Sequence, residues 1–183
     1  MKNLILLFIL LCNVYFTSNC QSMTTFYLVR HAEKVTTDVS AKDPVLTENG
    51  EKRATTLAKK LNSKKLTAIY STDFQRTKLT VQPIAEKQKL EVKIYNPKIL
   101  KSWAKIILQE NKGGKVLIVG HSNTVLETID ALGGKRPIAE INDQQYDYFF
   151  TVNVKEDGTV KVEVEHYGEK SSGNEGLQMM KNN

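Results

Sequence analysis

Beyond residue 20 the 183-residue chain has no cysteine; Cys12 and Cys20 are its only two. The body of the protein therefore builds no disulfide and no thiolate metal site, whatever compartment it occupies. Charge blocks of one sign are missing as well. The formal net charge is +6, but the lysines are scattered among acidic residues, which describes a solvated basic surface. Basic stretches interleaved with aromatics, the footprint of a nucleic-acid binder, are absent, so no nucleic-acid partner is expected. No apolar run approaches the roughly 20 residues that a membrane-spanning helix needs. What remains is ordinary: 40% hydrophobic and 25% charged residues, in a length that suits one domain with a single core.

The longest apolar run, Leu4 to Leu11, follows Lys2 and gives way to the polar stretch Thr17-Ser18-Asn19-Cys20. A positive residue, a short apolar core and a polar exit describe a secretory signal peptide over residues 1–19. Cys20 is similar to the acylated cysteine of bacterial lipoproteins, with Thr17 where that signal usually has an aliphatic residue. The expectation is an exported protein, periplasmic or attached to the outer membrane through lipid on Cys20, and otherwise secreted. After the leader (1–19) come one domain (20–167) and a tail (168–183) of Gly, Ser, Asn and Lys with little to bury, expected to be disordered.

Within the domain, strand-like and helix-like segments alternate. Thr25–Arg30 is a compact apolar run read as a strand, and Thr47–Asn62 is a helix with Thr47 as its cap. Leu66–Ser71 is a second strand, followed by a helix to about Lys89 in which Pro83 predicts a kink or an early break. Glu91–Tyr95 reads as a strand and Pro97–Glu110 as a helix. Lys115–Gly120 is apolar on both faces, as a parallel strand between helix layers must be. Asn123–Leu132 is a helix stopped by Gly133-Gly134. Two alternating segments, Tyr148–Val154 and Thr159–His166, flank Asp157-Gly158, a two-residue hairpin signal. The pattern predicts an α/β protein: a three-layer α/β/α sandwich with a mostly parallel central sheet and a late antiparallel hairpin.

In such sheets the ligand site gathers beyond the carboxyl ends of the strands. Arg30-His31 end the first strand, Gly120-His121-Ser122 end the Lys115–Gly120 strand, and both fall on one rim. Ser71-Thr72-Asp73-Phe74-Gln75-Arg76 leads from the second strand into a helix, which brings Arg76 to the same rim. Helix N-termini favour phosphate, and arginines add planar, permanently charged donors. Two arginines and two histidines around a helix start suit a dianion. A metal would want carboxylates or thiolates instead of arginines, so no metal site is expected. The third histidine, His166, reads as a surface residue in a charged stretch.

Four stretches carry a resemblance: Leu28-Val29-Arg30-His31-Ala32-Glu33, Leu46-Thr47-Glu48-Asn49-Gly50-Glu51-Lys52-Arg53-Ala54, Tyr70-Ser71-Thr72-Asp73-Phe74-Gln75-Arg76-Thr77, and Val119-Gly120-His121-Ser122-Asn123. In this order they resemble the histidine phosphatase superfamily, the phosphoglycerate mutase-like fold, from about Thr25 to Val154. The chain is similar to its small single-domain bacterial members. The resemblance implies His31 as the nucleophile that takes the phosphoryl group, with Arg30, Arg76 and His121 holding its oxygens. Asn123 is a further candidate phosphate ligand. The activity implied is a histidine acid phosphatase-type hydrolysis of small phosphorylated substrates, without a cofactor. The alternatives are a phosphoglycerate mutase-type transfer and a non-catalytic phosphate-binding lipoprotein.

Two positions depart from the family pattern. Ala32 stands where Gly is usual, which is tolerable at negative φ. The leaving group also needs a proton, and a positioned carboxylic acid is worth roughly 10²–10⁴-fold. Ser122 follows His121 where some members have Asp, and Glu86, Glu91 and Glu110 read as lying away from the rim. Glu33, two residues past the nucleophile, is the nearest candidate acid. Its competing reading is an exposed loop carboxylate or an ion pair with Lys34 or Lys42.

Overall fold

The computed structural model describes residues 22–37, 40 and 42–171; the leader, Cys20 and residues 172–183 of the expected tail lie outside the described residues. The element order is β1 (Met23–Arg30), α1 (Glu48–Leu61), β2 (Ala68–Ser71), α2 (Gln75–Gln88), β3 (Val92–Ile94), α3 (Leu100–Glu110), β4 (Lys115–Gly120), α4 (Ser122–Ala131), β5 (Tyr148–Lys155) and β6 (Val160–His166). The strands form one sheet in the order β3-β2-β4-β1-β5-β6. The first four in that order are parallel, and β5 and β6 run antiparallel at one edge. The expected α/β/α sandwich is the observed fold.

Successive side chains of a strand point to opposite faces, and both faces here are covered. Phe26 and Leu28 of β1, with Val116 and Ile118 of β4, pack under α3 and α4 through Ala104, Ile107, Val125 and Ile129. Tyr27 and Val29, with Leu117 and Val119, pack under α1 and α2 through Leu57, Leu61, Val81 and Ile84. Each fully buried Leu, Ile or Phe of these layers contributes about 1.5–3 kcal/mol relative to exposure. That is why β1 and β4 read as unbroken apolar runs, and why the residues at their ends are held rigidly.

Three expectations need correction. Helix α2 continues through Pro83 without a break. Val81, Ile84 and Ala85 are buried on either side of it, so packing offsets the hydrogen bond that proline cannot donate. The β5–β6 hairpin has a three-residue loop, not two. The Gly158 amide donates to the Lys155 carbonyl and Lys155 to Thr159, with Gly158 at φ +84, the form in which a turn closes on a left-handed glycine. The tail does not leave the fold at Gly168: residues 168–171 pack against the domain, and Ser171 is buried. Among the described residues no helix is long and apolar enough to cross a membrane.

Candidate active site

Strands β1 and β4 pair in parallel with Arg30 opposite Gly120, so the next residues, His31 and His121, leave the sheet together. The His31 amide donates to the Gly120 carbonyl at 2.9 Å, and the two imidazoles meet edge to face with ring centroids 5.5 Å apart. Strand β2 ends at Ser71 beside Val119, which sends Thr72 over the same rim and puts Arg76 in the first turn of α2. Gly120 is required where these segments converge. A Cβ there would lie 2.6 Å from the Thr124 hydroxyl and 2.9 Å from that of Tyr95.

His31 is buried, and its Nδ1 lies 2.8 Å from the Ala32 carbonyl. A carbonyl only accepts, so Nδ1 carries the proton. Burial pushes the imidazolium down to about 3; the Ala32 carbonyl opposes this, while Arg30, Arg76 and His121 add repulsion. The ring is therefore neutral near pH 7, with its lone pair on Nε2.

His121 carries its proton on the other nitrogen. Its Nε2 lies 3.0 Å from the Thr72 hydroxyl, which lies 3.0 Å from the Thr77 hydroxyl. Thr77 has the Phe74 and Thr72 carbonyls at 2.8 and 3.0 Å, and only its single proton can satisfy either. Thr72 therefore donates to Thr77 and has no proton left, so the His121 Nε2–H donates to Thr72. His121 also caps α4 in a reciprocal box with Thr124, its side chain facing the Thr124 amide. Burial, then Arg76 and Arg30, push its imidazolium down to about 4.

The two arginines have parallel surroundings. Arg30 lies face-on to the Tyr146 ring at 4.3 Å, and Arg76 to the Phe74 ring at 4.3 Å. Each also has a carboxylate 3.6 Å away, Asp143 for Arg30 and Asp43 for Arg76. One nitrogen of Arg30 donates to the Asn142 and Gln145 carbonyls at 2.7 and 3.1 Å. In both guanidiniums Nε is buried without a hydrogen-bond partner. A buried charged donor left unpaired is costly, so these two atoms point to an anion.

Glu33 requires a correction. Both oxygens of its carboxylate accept from Arg53, at 2.7–3.0 Å, in place of the expected pairing with Lys34 or Lys42. A carboxylate forked in this way accepts on both oxygens and is not placed to donate a proton. Asn123 is exposed at the second residue of α4. The Ala32 methyl is absorbed: Ala32 is fully buried with Leu46, Ala54 and Leu79, and its amide donates to Thr80 at 2.9 Å. Glycine is needed instead at Gly50, where a Cβ would lie 2.3 Å from the Glu33 carbonyl.

Sequence reasoning missed Thr72, Phe74, Asp43 and the 142–147 loop. Thr72 and Phe74 lie inside a quoted motif, and a buried hydroxyl beside a histidine could have been asked for. The loop acts largely through carbonyls, which leave no mark on residue identity. Among the described residues no cluster of three or more His, Cys, Asp or Glu could hold a metal. A surface groove of about 490 Å³ lies away from this site along α2 and β3, between Lys78, Gln82, Leu90 and Ile94.

Residues 26–96 match the sequence profile of the histidine phosphatase superfamily (branch 1). Phosphoserine phosphatase 1 of Hydrogenobacter thermophilus is 38% identical over 96 residues, which cover 48% of this chain. The match spans 45% of that relative's own length, less than half of it. Among solved structures, a protein histidine phosphatase SixA complexed with tungstate superposes with a TM-score of 0.63 at 16% identity, over 78% of this chain and 96% of that one. A mycobacterial glucosyl-3-phosphoglycerate phosphatase gives 0.62 at 13% identity, over 79% and 98%. Bacillus stearothermophilus YhfR gives 0.62 at 20%, over 78% and 96%. At these identities the structural likeness speaks for the fold alone.

Proposed function

We propose that the chain is a member of the histidine phosphatase superfamily, whose profile residues 26–96 match, and a phosphatase acting through a phosphohistidine on His31. The observation that carries this is a buried, neutral His31 with a free Nε2, beside two arginines, Arg30 buried and Arg76 partly so, whose buried Nε atoms have no partner. Phosphoryl transfer spreads charge over equatorial oxygens, so catalysis is mostly positioning and electrostatic stabilisation. Arg30 and Arg76 supply donors for those oxygens, and the His121 Nε2–H supplies a third by exchanging the Thr72 hydroxyl for a phosphoryl oxygen. Nε2 of His31 attacks phosphorus, the bond to the leaving oxygen breaks, and Nδ1–H stays on the Ala32 carbonyl. Water then attacks phosphorus, the N–P bond breaks, and phosphate departs with His31 restored.

The leaving oxygen needs a proton, and its source sets the substrate range. Glu33 is committed to Arg53, and Asp43 accepts from the Gln75 amide at the start of α2. Leaving groups that need little help are therefore favoured, such as aryl phosphates and phosphohistidine. A second source is the substrate: a phosphomonoester has a pKa near 6 and carries its own proton below it. His31 stays neutral there because its imidazolium forms only near pH 3. This supports an acid-range phosphatase. The leader-like residues 1–19 and Cys20 support export and lipid attachment, with small phosphorylated compounds outside the inner membrane as substrates.

The test is hydrolysis of p-nitrophenyl phosphate by the purified protein and by His31→Ala, with rapid quenching to trap the phosphoenzyme. The expected result is an acid-labile, alkali-stable phosphoenzyme that the variant lacks. Phosphate binding without turnover between pH 4 and 8 would leave a binding protein and overturn the enzyme reading.

A further inference from the structure

Two features that shape the site, Arg30 and the loop behind His31, are held by one short stretch, residues 166–171. Arg30 is fixed by the 142–147 loop through the Asn142 and Gln145 carbonyls and the face of Tyr146. That loop has no regular secondary structure of its own. Three contacts tie its end to residues 166–171. The Tyr146 amide donates to the Ser171 hydroxyl at 2.9 Å, the Tyr167 amide donates to the Asp147 carbonyl at 2.9 Å, and His166 Nδ1 lies 3.0 Å from the Asp147 carboxylate. Ser171 also hydrogen-bonds the buried Asp147 carboxylate through its hydroxyl and its amide, which pulls that carboxyl below its usual range against the effect of burial. The one hydroxyl thus accepts from the loop backbone and donates to the loop carboxylate.

The other link runs through Arg53. This buried side chain forks the Glu33 carboxylate two residues after His31. Its remaining donors go to the Tyr167 carbonyl at 2.8 Å and the Glu169 carbonyl at 2.9 Å. Gly168 lies between those two carbonyls at φ +71, and a Cβ there would lie 2.9 Å from Arg53. The backbone of 167–171 is therefore shaped to receive the guanidinium, and a side chain at 168 would push it away.

We infer that residues 167–171 form a strap that positions Arg30 and the loop behind His31 for phosphate binding, with Ser171 and Arg53 as its positioning residues. The inference rests on the phosphatase reading only in taking phosphate as the ligand; phosphate binding is measurable whether or not the protein turns over. Ser171 touches no substrate. It acts on Arg30 through Tyr146, so its effect must disappear when Arg30 no longer makes its clamped contacts. A residue that merely stabilises the fold acts the same in any background.

The test is a double-mutant cycle read by inorganic phosphate binding, in the full chain, with thermal unfolding recorded for each variant. Ser171→Ala is expected to weaken phosphate about tenfold, and to add less than about twofold when Arg30 is already Lys, because coupled sites are non-additive. Gly168→Ala breaks the strap at its other end, which acts through Arg53 and Glu33, and is expected to show the same pattern when Glu33 is already Gln, so the outcome does not depend on one variant folding. Equal weakening by Ser171→Ala in both backgrounds overturns the strap, as does no weakening by either variant. Wild-type protein that binds phosphate without hydrolysing p-nitrophenyl phosphate overturns the phosphatase reading and leaves the cycle intact. Wild-type protein that binds no phosphate overturns both.

Discussion

His31 and His121 stand in the same place in the fold, each the first residue past a parallel strand, yet the chain gives them opposite protons. His31 finds a carbonyl beside its Nδ1, so the proton sits there and Nε2 is bare. His121 opens a helix, with its side chain facing a backbone amide and its Nε2–H on Thr72. In the proposed reaction one ring is thereby the nucleophile and the other a donor. Residue type and position in the sheet do not separate the two roles; the first polar neighbour of each ring does.

The largest effects should come from removing that difference. His31→Ala removes the proposed nucleophile, and turnover is expected to fall on the order of 10⁴-fold or more with no phosphoenzyme. His121→Ala removes one donor to the developing charge, a loss of about 10²–10³-fold, but a phosphoenzyme should still form slowly on His31. If both variants lose the phosphoenzyme equally, the assigned roles do not differ. Thr72→Val removes the acceptor that fixes the His121 proton. It is expected to lower kcat by about tenfold with little change in KM, and Thr72→Ser should restore it.

Smaller effects follow from charge. Both imidazoles are held below the ordinary 6.5, at about 3 and about 4, so the unfolded chain binds more protons between those values and 6.5. Stability should therefore rise with pH across that window and be lost as the pH falls through it. His31→Asn should flatten the acid limb of a denaturation series; each tenfold difference in the proton affinity of His31 between the folded and unfolded chain corresponds to about 1.4 kcal/mol. The smallest change expected is Asp43→Asn. It removes the negative charge 3.6 Å from Arg76 and should lower the KM for phosphomonoesters by about two- to threefold. A raised KM would mean that Asp43 serves chiefly to cap α2.

Much of this was legible in the residues. Strand-end placement brings Arg30, His31, Arg76 and His121 to one rim, and the buried runs of β1 and β4 set the sheet's centre. Other features were not legible, for physical reasons. Pro83 weakens a helix locally, but packing of Val81, Ile84 and Ala85 is a tertiary contribution that no local rule contains. Glu33 looked like an acid because it follows the nucleophile, while its partner Arg53 is 20 residues away and carries no mark of the pairing. The 142–147 loop and the 167–171 strap hold the site largely through backbone groups, which any sequence supplies. The polar tail looked disordered because little in it is apolar, yet Ser171 is held by hydrogen bonds.

The most direct measurement is a long-range ¹H–¹⁵N correlation spectrum of protein labelled at its three histidines, recorded at pH 7 and resolved with His31→Ala and His121→Ala. The prediction is two neutral rings of opposite kind: His31 protonated on Nδ1 with a bare Nε2, and His121 protonated on Nε2. The same tautomer on both rings, or an imidazolium at His31, would contradict the division of nucleophile and donor.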